Sequence, residues 1–434
     1  MDFEEIQINK KRKLNPNEIN SIPEEILLKI LNYLDQKTIF ANFALVCKKF
    51  HNLTLDSSAV KYLNFSYIST SDQFENCMKI LKRYKALDSV QIENCPKYCN
   101  DFISQAFESS PKLKSLIVES TMLIPLHIVE FGRTCLPIKD FGKDLENLVL
   151  GNVRIEDQQI EMMTTILSLK NLKSLEISLL ESKAAIKFLD LLPKNCLKLS
   201  EVSFHTIIWK DLTKIKAPFD NFFEEMQGRL KKLKISPIIR PNNRQYVFRR
   251  EEEILMNLSL CQKLEVLELG SYLSNDPLTL ISKLPNLKHL KLGELGIFAG
   301  GFGKLFLDMN TEKLEFLHID GTRSLFEDKL QILSGREFPN LKEIRFSNCR
   351  NLDLREITLE HLKDLPKLEK IGLQWLNVCR CSLSFLQEFN EQISINVYDK
   401  CGKWKEFDIK AIFDYRVKYH RPGNSNCCIM FYLR

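Results

Sequence analysis

Residues 264–292 read LEVLELGSYLSNDPLTLISKLPNLKHLKL, and the two ends of this stretch are copies of one pattern, L-x-x-L-x-L. In the second copy, Leu287, Leu290 and Leu292 are apolar while His289 and Lys291 alternate with them. A period of two over the last four residues is the mark of a strand with one face in a core. Further copies start at Leu87, Leu113, Leu145, Leu172, Leu199, Leu230, Leu314, Leu341 and Leu368, with a weaker one at Val60. Successive starts are separated by 27, 26, 32, 27, 27, 31, 34, 23, 27, 27 and 27 residues. A period held over so many intervals is the signature of a repeat architecture, in which each unit buries its apolar face only against its neighbours.

The modal spacing lies within the ~20–29 residues of leucine-rich repeats. Between strands the pattern turns helical: Leu359, Leu362 and Leu365 recur at helical spacing before Pro366. Pro111, Pro285 and Pro339 punctuate other units in the same way. The expected fold is α/β: a leucine-rich-repeat solenoid with a parallel sheet on its concave side and helices on its convex side. Asn94-Cys95 and Asn348-Cys349 resemble the cysteine-containing class of these repeats. About twelve repeats are expected over residues 56–389. Ile393, Ile395 and Val397, then the apolar run 427–433, are read as a cap over 390–434.

Three intervals are long, and insertions are places where function concentrates. They fall at Leu123–Lys143, Trp209–Gly228 and Pro237–Cys261. The third holds Arg240, Arg244, Arg249 and Arg250 with Tyr246. It reads either as a ligand-contacting arm or, as we favour, as a longer convex helix over EEEILMNLSLC.

Residues 21–50 form a different module, SIPEEILLKILNYLDQKTIFANFALVCKKF. Pro23 suits a first helical turn, and Glu24 and Glu25 suit its positive end. Ile26, Leu27, Ile30, Leu31 and Leu34 make one apolar stripe; Ile39, Phe43, Val46, Cys47 and Phe50 make a second. So small a helical module is insecure alone and needs either the repeats or a partner against it. A helical cap on the solenoid is the plain reading. The residues Ile22, Pro23, Glu25, Ile26, Leu27, Ile30, Leu31 and Leu34, then Leu45, Val46, Cys47 and Phe50, resemble the F-box, with Ile22 and Phe50 in place of the usual Leu and Trp. The resemblance spans about 30 residues, and we assign 21–55 to it. An F-box ahead of leucine-rich repeats resembles the substrate-recognition subunits of SCF-type cullin–RING ubiquitin ligases. That resemblance implies a Skp-type adaptor bound to the F-box, a cullin–RING scaffold beyond it, and a substrate protein on the repeats. The other reading is a repeat scaffold or inhibitor that binds a partner without ubiquitin transfer.

Chemistry-bearing motifs are sparse. Gly300-Gly301-Phe302-Gly303-Lys304 has Phe298 and Leu305 where a phosphate loop needs Gly and Ser or Thr, so it reads as a loop. Cys379, Cys381, Cys401, His420, Cys427 and Cys428 lack zinc-ligand spacing and read as cap core. No metal, cofactor or catalytic residue is expected, and the protein is read as non-catalytic. The net charge of +6 on 434 residues gives no case for nucleic acid or an anionic membrane as partner. No stretch approaches the ~18 apolar residues of a membrane span, and the acidic MDFEEIQ start carries no secretory signal. A reducing, cytoplasmic or nuclear location is expected, with the 13 cysteines unpaired. Lys10-Lys11-Arg12-Lys13 reads as part of a solvated tail over 1–20, or else as a nuclear import signal.

The concave face is where a partner is expected. One outward column runs Val149, Glu176, Ser203, Lys234, Glu268, Lys291, His318, Arg345 and Gly372. Beside it runs Gly151, Ser178, His205, Ser236, Gly270, Gly293, Asp320, Ser347 and Gln374, mostly small residues that leave room for a partner. Lys234, Lys291, His318, Arg345 and Trp375 are the candidate substrate-binding residues. The last four suit an acidic or phosphorylated segment.

Overall fold

In the computed structural model the described residues are 22–31, 48–54, 56, 60–66, 68, 70–93, 99–119, 142–155, 160–180, 182–208, 213–236, 238–239, 254–270, 275–293, 305–306, 308–320, 338–347, 365–374, 377–378, 394–398, 404–406 and 429–430. The described residues up to Asn147 fall in one compact unit and those from Leu148 in a second.

The first unit opens with α1 (Glu24–Leu31). The Pro23 carbonyl accepts the amides of Ile26 and Leu27, so the helix begins where the proline has already fixed the backbone. Leu27 and Leu31, one turn apart, are buried. Helix α2 (Lys48–Thr54) follows and buries Phe50, Leu53 and Thr54. Lys49 Nζ donates to the Ile22 carbonyl at 2.9 Å, which ties α2 to the start of α1.

Then come β1 (Tyr62–Ser66), α3 (Ser71–Arg83), β2 (Ser89–Glu93), α4 (Cys99–Ser109) and β3 (Ser115–Glu119). Thr70 and Gln73 form a capping box that starts α3. Strands β1, β2 and β3 pair in parallel, with Leu63 opposite Val90 and Val90 opposite Leu116. Phe65 stacks on Phe102 at 5.2 Å between centroids, and Phe74 meets the same ring edge-on. The buried Tyr84 hydroxyl donates to the Thr54 carbonyl, so the end of α2 is bonded to the end of α3.

The second unit holds β4 (Asn147–Ile155) from its second residue on, then α5 (Ile160–Ser168), β5 (Ser174–Leu180), α6 (Lys183–Asn195), β6 (Glu201–Ile208), α7 (Thr213–Met226), β7 (Lys232–Ile235), β8 (Ile238–Ile239), β9 (Val266–Leu269), α8 (Asn275–Ile281), β10 (His289–Leu292), β11 (Phe316–Asp320), β12 (Glu343–Ser347), β13 (Lys370–Gln374), β14 (Asn377–Val378), β15 (Ser394–Tyr398), β16 (Trp404–Glu406) and β17 (Ile429–Met430). Strands β5, β6, β7, β9, β10, β11, β12, β13 and β15 pair in parallel in that order. This is the α/β repeat solenoid that the leucine pattern demands. Its three apolar positions are buried in unit after unit: Leu264, Leu267 and Leu269; Leu287, Leu290 and Leu292; Leu314, Leu317 and Ile319. Strand β15 extends the parallel ladder, and β16 then pairs with it antiparallel.

The turn before each strand is hydrogen-bonded to its predecessor in a fixed way. The Glu265 carbonyl accepts the amides of Lys288 and His289, that of Lys288 accepts Glu315 and Phe316, and that of Glu315 accepts Lys342 and Glu343. A second link repeats just outside: Lys198 Nζ donates to Asn171, Lys313 to Asn286 and Lys367 to Asn340. The backbone step and the side-chain step share the repeat period, so each unit is held by the one before it.

The second insertion is a helix of the convex layer. Phe219, Phe222 and Phe223 of α7 are fully buried and meet one another at 5.6–6.4 Å, and Phe219 and Phe222 meet Phe204 of β6 at 5.5 and 5.9 Å. The longer helix expected over EEEILMNLSLC is corrected. Its described part contains the 3-10 helix Leu258–Leu260, in which Cys261 N bonds to Leu258 O. Ile254, Leu255, Leu258 and Cys261 are buried along this segment, and its short 3-10 hydrogen bonds, Leu260 N to Asn257 O and Cys261 N to Leu258 O, take the place of the α-helical ladder. The arginines of this insertion, residues 123–141 of the first insertion, the glycine-rich loop at 300–304 and the cysteines from 379 onward lie outside the described residues.

Candidate functional site

Two surfaces carry side chains that the fold does not use up. The first is the outer face of α1. The apolar stripe expected there splits into two: Leu27 and Leu31 are turned into the unit at 2% and 0% exposure, whereas Ile26 and Ile30 are 45% and 41% exposed. Residues four apart share a helix face, so Ile26 and Ile30 form an apolar outward ridge, with Pro23 and Glu25 exposed beside it. Ile22 is half-buried and Phe50 is buried. Leu34, Leu45, Val46 and Cys47 lie outside the described residues.

The second surface is the strand face of the second unit. Its register puts the expected column together residue by residue: Ser203 opposite Lys234, Lys234 opposite Glu268, Glu268 opposite Lys291, Lys291 opposite His318 and His318 opposite Arg345. Trp375 lies outside the described residues. The chemistry of the column differs from a simple basic cluster. Lys234 Nζ sits 2.6 Å from Glu268 Oε1. Arg345 Nε bonds to Glu343 on its own strand, and its guanidinium carbon lies 5.0 Å over the Phe316 ring. His318 is not a surface cation. It is 7% exposed, and burial together with the nearby Lys291 and Arg345 pushes its pKa down to about 3.

A neighbouring column that the sequence reading passed over completes the surface: Val266, His289, Phe316 and Glu343 stand in register on β9 to β12. His289 stacks on Phe316 with centroids 4.0 Å apart and its Nε2 lies 3.5 Å from Glu268 Oε1. Burial, and the cations Lys234, Arg345 and Lys291, hold its pKa down to about 4 against the pull of Glu268. One chain of contacts therefore runs Lys234, Glu268, His289, Phe316, Arg345, Glu343 across β7 to β12. The signal was present in LKHLKL and LEFLHI, where His and Phe occupy outward strand positions of successive repeats.

The small column does not leave the opening expected at Gly293. A Cβ there would stand 2.5 Å from the Gly270 carbonyl carbon, so backbone already fills the space. At β6 the register slips between Ile177 and Ser178, and His205 becomes the extra residue of a bulge, 3.7 Å from Glu176. Among the described residues no group of three His, Cys, Asp or Glu side chains is placed to hold a metal. No described helix is long and apolar enough to cross a membrane. Cys196 and Cys261 are free and buried, their thiols pushed up to about 11 and about 12 chiefly by desolvation.

Residues 19–66 match the F-box-like family. The chain is thus an F-box-like module followed by a leucine-rich-repeat solenoid. Among solved structures it is similar to the Rad7–Elc1 complex of yeast, at 18% identity over 82% of this chain and 89% of that one, with a TM-score of 0.49. It is also similar to the leucine-rich-repeat-containing protein LegL7 of Legionella pneumophila, at 12% identity over 83% of this chain and 99% of that one, with a TM-score of 0.39. A comparison with curated proteins finds no match.

Proposed function

We propose that this protein is a non-catalytic substrate-recognition subunit of an SCF-type ubiquitin ligase. The F-box-like module docks on a Skp-type adaptor, which links it to a cullin–RING scaffold, and the repeats hold the substrate protein on their strand face near Lys234, Lys291, His318 and Arg345. The observation that carries the reading is the outward pair Ile26 and Ile30 within the family-matched segment. Two large aliphatic side chains left in water one turn apart cost free energy that an apolar partner surface returns.

Co-expression of the full chain with a Skp-type adaptor tests this. Co-purification of the two, lost in Ile26→Asp/Ile30→Asp, is the expected result, because a carboxylate buried without a partner costs several kcal/mol. Adaptor binding that survives the double substitution would overturn Ile26 and Ile30 as the docking ridge, and its absence from the unmodified chain would leave a repeat scaffold without ubiquitin transfer as the better reading.

A further inference from the structure

We propose that the strand face around Lys291 binds the carboxylates of an acidic, unphosphorylated peptide segment. The inference rests on the reading that the repeats hold a substrate protein.

The argument starts from which charges are already answered. Lys234 is met by Glu268 at 2.6 Å, and Arg345 is met by Glu343 while lying over Phe316. Lys291 stands in register between Glu268 and His318, yet it makes no ion pair with a described residue. Glu268, in register with it on β9, is engaged elsewhere, since its Oε1 faces both Lys234 and His289. Lys291 is therefore a half-buried cation beside His318, its partner in register, and His289 on its own strand, two imidazoles held neutral.

Such a surface selects its ligand by charge and by shape. A partly desolvated ammonium gains most from an anion, through the strong class of charge-assisted hydrogen bond. The neighbouring rings add apolar edges without further charge. Among the described residues of this column the unanswered charge is the one unit on Lys291, which a carboxylate matches. A phosphoryl group brings about −1.5 to −2 and calls for a second unanswered cation. The face is an open sheet with strands ~4.8 Å apart, suited to an extended chain running across several repeats.

The test uses the full chain co-purified with its adaptor and three fluorescent decapeptides: an acidic one carrying a single Asp or Glu on a neutral background, its Asn/Gln counterpart, and the same neutral peptide carrying one phosphoserine. The acidic peptide is expected to bind with an affinity that falls about tenfold or more in Lys291→Ala and returns in Lys291→Arg, while the Asn/Gln peptide fails to bind. Adaptor co-purification is expected to be unchanged in Lys291→Ala, which separates this surface from the adaptor face. Equal binding of the neutral peptide, tighter binding of the phosphoserine peptide, indifference to Lys291→Ala, or no binding of the acidic peptide would each overturn the proposal. Failure of the unmodified chain to co-purify with the adaptor would overturn the ligase reading instead, and the peptide titration would then be run on the chain alone.

Discussion

Gly293 follows β10 and Gly270 follows β9, and the two backbones approach so closely that no methyl group fits between them: a Cβ on Gly293 would lie 2.5, 2.6 and 2.8 Å from the carbonyl carbon, oxygen and Cα of Gly270. The amides on this line bond backward along the ladder, Gly293 to Leu269 O at 2.5 Å and Gly270 to Ile235 O at 2.7 Å. The clash is with backbone, which cannot rotate away as a side chain does. Gly293→Ala is therefore expected to destabilise the second unit by about 1–3 kcal/mol, the usual cost of overpacking. Gly228, in the turn after α7, has nothing within 4 Å of the same hypothetical atom, so Gly228→Ala should shift stability by no more than ~1 kcal/mol. Urea unfolding of the two variants checks the contrast; equal midpoints would show that the ladder relaxes around the added methyl.

The repeat contacts rank in the same way. Leu290 is fully buried between units, and Leu290→Ala should cost about 2–5 kcal/mol through lost burial and the cavity left behind. Lys342 Nζ lies 2.6 Å from Glu315 Oε2, but both side chains are nearly half exposed. Exposed pairs are worth ~0–1 kcal/mol, so Lys342→Ala should barely move the unfolding midpoint at moderate salt. A large loss from Lys342→Ala would mean that the alternating charges of the edge act as a network rather than as separate pairs.

The core was legible because it is written in one letter at a fixed period. Each L-x-x-L-x-L copy named its own buried residues, and the register then followed from the spacing, down to Lys291 opposite His318. The charges on the strand face were legible only as a list. Which cation is answered depends on carboxylates one strand away, such as Glu268, and on one within the same strand, Glu343, and neither distance is visible in a linear pattern. Gly270 and Gly293 read as open space because the sequence records the absence of a side chain but not how near the next backbone comes. The α1 stripe misled for a similar reason. Five apolar residues in helical register describe a wide face, and only the packing of α2 decides which part of it is turned inward.

That division of α1 has a direct consequence. Leu27→Ala removes a side chain 2% exposed and should cost about 2–5 kcal/mol within the F-box-like module, with loss of helical signal at lower temperature than in the unmodified chain. Ile26→Ala removes one that is 45% exposed and should leave the unfolding temperature within ~1–2 °C while weakening adaptor binding. Circular dichroism melts beside adaptor pull-downs separate the two effects. Matching behaviour of Leu27→Ala and Ile26→Ala in both assays would mean that the two faces are not distinct.

His318 and His289 give the second unit an acid-sensitive seam. Both imidazoles are held well below the ordinary value near 6.5, His318 at about 3 and His289 at about 4, mainly by burial. The charged groups that act on them are Lys291 on β10 and Arg345 on β12 at both rings, with Glu268 on β9 and Lys234 on β7 at His289, and the cations add to the effect of burial. An unfolded chain takes up a proton on each histidine below pH ~6.5, whereas the folded chain does not until far lower. The stability contributed by the neutral rings is thus complete above pH ~6.5 and declines as the pH falls toward 4, by up to about 1.4 kcal/mol per pH unit for each ring. His318→Leu keeps the site apolar and removes one titrating group, so its unfolding free energy should fall less steeply between pH 6.5 and 4.5 than that of the unmodified chain. Carboxylates such as Glu265 and Glu315, held below the usual range by hydrogen bonds from Lys288 and Lys342, lose their pairing over the acid end of the same scan in both proteins, so only the difference between the two curves reports on His318. Histidine ring resonances followed by NMR supply the second readout: the His318 signal should stay at its neutral position from pH 7 to 5, and a titration midpoint near 6.5 would show that the ring is open to water and contributes nothing to the seam.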